Sequence, residues 1–478
     1  MSGAITLREL GFEADGIVAG LTCDSREVKE GYIFAALPGS QNDGRDYIEK
    51  AIKAGAIAVL STPGLILSVP YLASVLPRLP YAQMASKIHA GQPDTMVTVT
   101  GTNGKSSTVE FLRQIWTHAG LAAASIGTLG VYSPAGYKAM THTTPDAVVL
   151  HEALAALAQE GVTHAAMEAS SHGLDQFRLD AVKISASGFT NLSQDHFDYH
   201  GSIENYFQTK ARLFIELTPS NAPVIINVDD EYGRELAQLC EEQGQKVIQV
   251  GWQGRDIQIK SLTPQPSSQL MAITLDGKEY KIDLPLVGEF QAFNVVTALG
   301  LALATGVPQQ AGLSALKSLT GVSGRMELAG HAPSGAPIFV DFAHSEAGLE
   351  TLLRSLRPHT DGDIVIAFGC GGDRDTGKRV KMGRAAARLA DKVIVTDENP
   401  RSEVPELIRQ AVLEGCSDAI EIGDRAAAIK AGIEGLGPKD CFVIAGKGHE
   451  QGQIIGDKVI PFSDVAEVQK VLKGLANA

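Results

Sequence analysis

The sequence predicts an α/β protein of about three domains, the last built on a doubly wound parallel sheet. Three observations carry this. The chain has 478 residues, and at roughly 150 residues per domain that length favours about three domains. At Met96 a β-branched run, MVTVT, meets the glycine-bearing loop GTNGKSS, and a segment with Val109, Leu112, Ile115 and Trp116 at helical spacing follows. Beyond residue 325, the strand-like runs IFVDFAHS, DIVIAFGCGG, KVIVTDENP and CFVIAGKGHE alternate with helix-length segments, the pattern of a parallel sheet with helices on both faces.

Residues 1 to 90 alternate short apolar runs with turns (DSREV, GYIFAALPG, SQNDGRDY) and predict a small α/β domain. Within it, Ala54 to Pro77 carries no charge. That length could span a bilayer. However, Pro63, Gly64, Pro70 and Pro77 interrupt it, and lipid does not accommodate so many unpaired backbone groups. GAIAVLS is therefore read as a buried strand, and the rest as loops with a second short strand. From residue 91 the elements around Met96 open a second domain, with Gly120 as the helix stop. HAAMEASS, ISASGFTNL and PVIINV continue the alternation. DIQIKSL, QLMAITL and YKIDLPL alternate apolar and polar residues instead, with Asp276-Gly277 between the last two, which predicts an antiparallel hairpin insertion. The helix NVVTALGLALATG follows, then a glycine-rich turn from Gly321 to Glu327, so the third domain begins near residue 325.

Apolar residues make up 44% and charged residues 20% of the chain, an ordinary globular composition. The 41 basic and 55 acidic residues leave a net charge of −14. That argues against a nucleic-acid partner, which needs a basic footprint. Cys23, Cys240, Cys370, Cys416 and Cys441 show no CxxC spacing. They read as reduced, buried thiols of a cytosolic protein, not as a disulfide frame or a zinc site. MSGAITLREL lacks the basic and apolar regions of a signal peptide, so a cytoplasmic protein without membrane insertion is expected.

The loop Gly101, Thr102, Asn103, Gly104, Lys105, Ser106 and Ser107 is the strongest local signal. Between a strand and a helix, its backbone N–H groups, the helix N-terminus and the Lys105 charge suit a phosphate, and Ser106 could ligate Mg²⁺. Val99 stands where the full phosphate-loop pattern has glycine. Glu168 falls at the end of a strand-like run, where a nucleotide-bound Mg²⁺ would want a carboxylate; Ser170 and Ser171 beside it could simply cap a helix. His196 and His200 have the spacing of a zinc helix, but Phe197 replaces the glutamate that such a helix needs. Lys210, in the amphipathic segment ENYFQTKARLF, reads by itself as a surface lysine. Three loops after the C-terminal strands offer Arg379, Arg401 and Glu450. Two guanidinium groups and a carboxylate suit a zwitterionic amino acid.

Taken in order, TGTNGKSS, MEASSHGLDQFR, TNLSQDHFDYHG, YFQTKARLF, GRMEL, VDFAHS, FGCGGDRDTGKR, TDENPRSE and AGKGHE resemble the Mur ligases. More narrowly they resemble the UDP-N-acetylmuramoyl-tripeptide synthetases of that family, from about Asp24 to Glu450. The resemblance implies an N-terminal UDP-substrate-binding domain (1–90), a central P-loop ATP-binding domain (91–325) and a C-terminal Rossmann-like amino-acid-binding domain (326–478). It implies a monomeric ligase of peptidoglycan precursor synthesis, and so of cell wall biogenesis, cell shape, cell division and the cell cycle. ATP would phosphorylate the D-Glu γ-carboxylate of UDP-MurNAc-L-Ala-D-Glu, and the amine of meso-2,6-diaminopimelate, or alternatively of L-lysine, would attack the acyl phosphate.

By the same resemblance, Ser25, Ser40, Gln41 and Asn42 meet the uridine end, and Thr143, Thr144, Ser170, Gln176 and Arg178 hold the sugar-peptide. Lys105 acts on the phosphates. Ser106, Glu168, His196 and a carbamylated Lys210 hold two Mg²⁺ ions. Asn294, Arg325, Asp341 and His344 join the phosphate loop in holding ATP. Arg379, Glu398, Asn399, Pro400, Arg401, Gly446 and Glu450 receive diaminopimelate. Four positions depart from the family pattern: Ser40 stands where a histidine is common, Gln291 and Glu398 replace an asparagine and an aspartate, and Phe342 replaces a tyrosine. Two other classes compete with the ligase, a plain P-loop phosphohydrolase and a non-catalytic nucleotide-binding module. The first leaves the charged C-terminal loops without a purpose, and the second leaves Lys105, Ser106 and Glu168 without one.

Overall fold

The computed structural model describes residues 4–39, 42–193 and 197–476, with only the backbone of 197 and 198. The chain divides into two compact units, Met1–Gln249 with Thr297–Gln309, and Val250–Val296 with Gln310–Ala478.

In the first unit, β1 (Gly20–Thr22), β2 (Tyr32–Ala35), β3 (Ala56–Ser61) and β4 (Tyr71–Ala73) form a parallel sheet in that order. The charge-free stretch supplies β3 and β4, as its proline spacing implies. Among the described residues no helix is long and apolar enough to cross a membrane.

A second sheet follows, from β5 (Thr95–Thr100), β6 (Ala123–Gly127), β7 (Gly130–Ser133), β8 (Gly136–Lys138), β9 (His164–Glu168), β10 (Ala186–Phe189), β11 (Val224–Asn227) and β12 (Val247–Gly251). Its order is β12-β11-β10-β5-β9-β6-β7-β8. β5 runs parallel to both neighbours, β9 and β10. Its residues Met96, Val97 and Val99 are fully buried, which is why it reads as an unbroken β-branched run. The chain leaves β5 toward β6 on one side and reaches β10 on the other, so the carboxyl end of β5 is a switch point where open α/β sheets bind ligands. The helix Lys105–His118 buries Val109, Leu112, Ile115 and Trp116, the stripe expected from spacing.

In the second unit, β13 (Ile257–Pro264), β14 (Gln269–Leu275) and β15 (Lys278–Leu284) pair antiparallel. Asp276 and Gly277 have φ of 49° and 72°, the double left-handed turn that suits a two-residue hairpin. The apolar run from Asn294 lies in a helix that begins earlier, Glu289–Ala304. Then come β16 (Glu327–His331), β17 (Pro337–Asp341), β18 (Ile364–Phe368), β19 (Lys392–Val395), β20 (Ile420–Glu421) and β21 (Cys441–Ala445), ordered β16-β17-β21-β18-β19-β20. The four runs read from the sequence are β17, β18, β19 and β21, mutually parallel in that sheet. One face packs Ile366, Phe368 and Val443 with Leu353 and Met382, and the other packs Ile338, Val340 and Phe442 with Ile429. A two-stranded ribbon, β22 (Gly452–Ile455) and β23 (Lys458–Pro461), follows β21. Four cysteines are buried as expected; Cys23 is exposed, because it sits in the turn after β1 and not in the strand.

Candidate active site

At the carboxyl end of β5 the chain turns through Gly101 (φ 147°) and Gly104 (φ 85°). A Cβ on Gly101 would collide with Thr190 Oγ1. The absence of one lets the loop lie against the chain after β10. Thr102 N donates to Asn191 O (2.8 Å), Asn103 N to Asn191 Oδ1 (3.0 Å), and Thr190 Oγ1 to Asn103 O (2.6 Å). Lys105 Nζ donates to the carbonyls of Gly101 (2.9 Å) and Thr102 (2.8 Å).

Lys210 Nζ donates to the same Gly101 carbonyl at 2.9 Å. Its side chain is buried over the Tyr206 ring, 4.4 Å from the centroid. The surface position that amphipathic spacing predicts for Lys210 is therefore corrected: Tyr206, Phe207, Lys210 and Ala211 all lie on the buried side of the helix Ile203–Arg212. Two lysine side chains thus meet at one carbonyl beside a helix N-terminus, and the N-terminus with the Lys105 charge is a setting suited to phosphate.

Glu168 ends β9 and is buried. Its Oε1 accepts from Ser106 Oγ (2.8 Å) and Thr128 N (2.8 Å). Gly127 makes room for it, since a Cβ there would lie 2.6 Å from Glu168 Cδ. A hydroxyl and a carboxylate at this separation are hard oxygen donors. They fit Mg²⁺, which keeps waters and phosphate oxygens and needs only one or two protein groups. Among the described residues no cluster of three His, Cys, Asp or Glu side chains offers an all-protein metal cage. His196 lies outside the described residues. The His200 ring packs 5.0 Å from that of Tyr206.

The residues expected at the sugar-peptide gather at the same sheet end. Thr144 Oγ1 donates to the Glu168 carbonyl (2.9 Å) and accepts from Ser170 N (2.9 Å). Ser170 Oγ accepts from Gly173 N (3.1 Å), so it also caps the helix Ser171–Asp175. Arg178 donates to Thr144 O (2.6 Å) and to Gln176 Oε1 (2.7 Å). Thr143 Oγ1 pairs with Thr128 Oγ1 at 2.9 Å. In the first sheet's loops, Ser25 is half-buried and Asn42 exposed, while Ser40 and Gln41 lie outside the described residues.

The second unit has its own centre, a cavity of about 320 Å³ at the carboxyl ends of β17, β18, β19 and β21. It is lined by Phe342, His344, Gly371, Arg374, Asp375, Lys378, Glu398, Arg401, Gly446 and Glu450. Arg401, at φ 52°, is fixed by the ribbon: its N–H donates to Ile454 O (3.1 Å) and its carbonyl accepts from Gly456 N (2.7 Å). Its Nη1 donates to Gly372 O at 2.8 Å. Asn399 is buried and bonds Glu450 Oε2 (2.9 Å), Lys447 Nζ (3.1 Å) and Ile454 N (2.9 Å). Pro400 carries the turn between Asn399 and Arg401, and its carbonyl faces Gly372.

The two carboxylates of the cavity differ. Burial pushes Glu398 up, against the pull of Arg425 and Lys378, and its Oε2 has no hydrogen-bond partner among the described residues. Burial would also raise Glu450, but hydrogen bonds from Asn399 and Lys447 outweigh it and hold that carboxyl low. Arg379 does not line the cavity; it is buried and paired with both oxygens of Glu403 at 2.8 and 2.9 Å. Sequence reasoning did not single out Lys447, which is wholly buried and donates to Glu450 Oε2 (2.9 Å) and Gly452 O (2.5 Å). Its one signal was a lysine between two glycines directly after a strand.

Of the residues expected at the nucleotide, Asp341 accepts from Met326 N (2.7 Å) and Ala343 N (2.8 Å), and burial pushes its carboxyl up. Arg325 lies 4.9 Å from the Phe342 ring centre. His344 donates from Nδ1 to Phe342 O (2.9 Å), and Asn294 donates to Gln291 Oε1 (3.2 Å).

Three family descriptions match successive parts of the chain: "Mur ligase family, catalytic domain" over residues 17–91, "Mur ligase middle domain" over 99–302, and "Mur ligase, glutamate ligase domain" over 324–448. The UDP-N-acetylmuramoyl-L-alanyl-D-glutamate–2,6-diaminopimelate ligase of Rhizobium meliloti is 49% identical over 460 residues, which is 96% of this chain and 95% of that protein. The protein of the same name from Agrobacterium fabrum is 48% identical over 96% of this chain and 94% of its own length. A solved structure of a ligase of that name superposes with a TM-score of 0.76 at 32% identity, covering 99% of this chain and all of that one. The chain belongs to the Mur ligase family, with its three-domain α/β fold.

Proposed function

We propose that this chain is the ATP-dependent ligase that joins meso-2,6-diaminopimelate to the D-Glu γ-carboxyl of UDP-MurNAc-L-Ala-D-Glu in peptidoglycan precursor synthesis. The observation that carries the reading is the meeting of two groups of residues at one sheet end. Lys105, Ser106 and Glu168 suit a phosphoryl group, and Thr144, Ser170, Gln176 and Arg178 suit a second, polar substrate. A plain phosphohydrolase has no use for the second group. The names and near-complete coverage of the relatives support the same choice.

A carboxylate becomes an acylating agent only when one of its oxygens is part of a leaving group. The γ-phosphoryl of ATP therefore moves to the γ-carboxylate and ADP departs. The amine then forms the C–N bond as the C–O bond to phosphate breaks. Lys105 steadies the charge on the transferring phosphoryl, and Thr143, Thr144, Ser170, Gln176 and Arg178 orient the carboxylate. Two Mg²⁺ ions, held by Ser106 and Glu168 together with His196 and carbamylated Lys210, would neutralise the phosphoryl charge. Asn294, Arg325, Asp341 and His344 hold the rest of ATP, and Ser25, Ser40, Gln41 and Asn42 the uridine. In the cavity, Arg401 pairs with the far carboxylate of diaminopimelate and Glu450 and Gly446 take its ammonium, with Glu398, Asn399 and Pro400 building the pocket. Functional domains at 1–90, 91–325 and 326–478, a cytoplasmic monomer and a role in cell division complete the reading. Phosphate release assayed with each substrate omitted in turn tests it: release must require ATP, the nucleotide-sugar dipeptide and the amino acid together. Release from ATP alone at the full rate would overturn it.

A further inference from the structure

The helix Ser171–Asp175 ends in a turn in which Phe177 holds φ at 57°. Arg178 N donates to Gly173 O (2.9 Å) and Phe177 N to Leu174 O (3.1 Å), a helix-ending turn whose left-handed position normally belongs to glycine. A bulky side chain there is an outlier, and such strain persists where the surroundings over-determine it. Here the surroundings are Arg212. Its guanidinium lies 4.2 Å from the Phe177 ring centre, and its Nη1 donates to Leu174 O at 2.8 Å. The guanidinium is itself held, by Asp180 through Nη1 and Nη2 and by Glu216 through Nε (2.8 Å). Arg212 closes the helix that carries Lys210, and a π-helical turn, Leu213–Leu217, follows it, an irregularity that recurs at functional sites.

We propose that Arg212, acting through the ring of Phe177, is a positioning residue for the nucleotide-sugar dipeptide. The clamp fixes the turn from which Gln176 and Arg178 project, and ties that turn to the helix of Lys210. The inference rests on the proposed ligase reading, in which Gln176 and Arg178 hold that substrate. Glycine would adopt the turn without strain; the phenylalanine adds a face on which the guanidinium stacks.

The test uses the full chain and its Phe177→Gly, Phe177→Tyr and Arg212→Lys variants. It measures calorimetric binding of UDP-MurNAc-L-Ala-D-Glu, KM for each substrate, and the thermal midpoint. Phe177→Gly and Arg212→Lys should weaken dipeptide binding and raise its KM about tenfold. KM for ATP and diaminopimelate should stay within about twofold. The Phe177→Gly midpoint should not fall, because strain has been relieved, and Phe177→Tyr, which keeps the ring, should bind like the wild type. Wild-type affinity in Phe177→Gly, or an equal rise in all three KM values, overturns the inference alone. A wild-type chain that binds no nucleotide-sugar dipeptide overturns the ligase reading and the inference with it.

Discussion

Replacing Lys447 with methionine should loosen the amino-acid cavity from behind. The ammonium is wholly buried and its partner Glu450 keeps 35% of its side chain exposed. Removing one member of a buried pair costs about 3–5 kcal/mol, because the other charge is left uncompensated. The partial exposure of Glu450 places this pair at the low end. The bonds to Asn399 Oδ1 and Gly452 O go with it, and at about 1 kcal/mol each they are part of that figure. A local destabilisation of about 3 kcal/mol is expected, which is roughly a hundredfold in an opening equilibrium. Asn399 also accepts from Ile454 N, so the ribbon β22–β23 should report the change: its amides should exchange with deuterium about a hundredfold faster in Lys447→Met. The double variant Lys447→Met with Glu450→Gln should recover much of the loss, because no orphan charge remains. Glu450 is held low in the folded chain. The pair therefore contributes above the ordinary glutamate pKa of about 4.3, and is lost as the pH falls through the lower folded value. The gap between wild type and variant should narrow on acidification. Unchanged ribbon exchange in the single variant, or a double variant as open as the single, would refute the reasoning.

Lys105→Ala should abolish ligation by removing a charge from the transferring phosphoryl, a loss of several kcal/mol of transition-state stabilisation, while circular dichroism and the thermal midpoint stay near wild type. Carbamylation of Lys210 should give a carbonyl carbon signal in NMR of the chain equilibrated with ¹³C-bicarbonate, absent in Lys210→Arg; no difference between the two spectra would contradict it. Arg401→Ala should raise KM for diaminopimelate about a hundredfold or more, since the site pairs a carboxylate that is then left unmatched, and should leave KM for ATP unchanged; equal effects on both would point to a collapsed loop instead.

Local chemistry made much of this legible. The strand, loop and helix around Lys105 follow from β-branched residues, two glycines and a 3.6-residue stripe. The Asp276-Gly277 hairpin follows from a dipeptide that readily accepts left-handed φ at both positions. What stayed hidden depends on distant chain. Lys210 looks like a solvent residue until the Gly101 carbonyl, 109 positions away, meets it. Lys447 carries little signal of its own, because its partners, Asn399 and the carbonyl of Gly452 in the ribbon, come from outside its own loop. Arg379 offers a guanidinium in the sequence, but in the fold it is paired with Glu403 and is not part of the cavity lining. Phe177 gives no signal at all, because a left-handed phenylalanine is fixed by Arg212, a partner in another helix.

The most direct test supplies the purified chain with ATP, UDP-MurNAc-L-Ala-D-Glu and equal concentrations of meso-2,6-diaminopimelate and L-lysine, and weighs the product by mass spectrometry. The account predicts a tripeptide product that carries diaminopimelate almost exclusively, with one ADP and one phosphate released per amide formed, because Arg401 pairs a carboxylate that lysine lacks. A product that carries mostly lysine would contradict the assignment of the cavity, and ADP formed without any tripeptide would contradict the ligase itself.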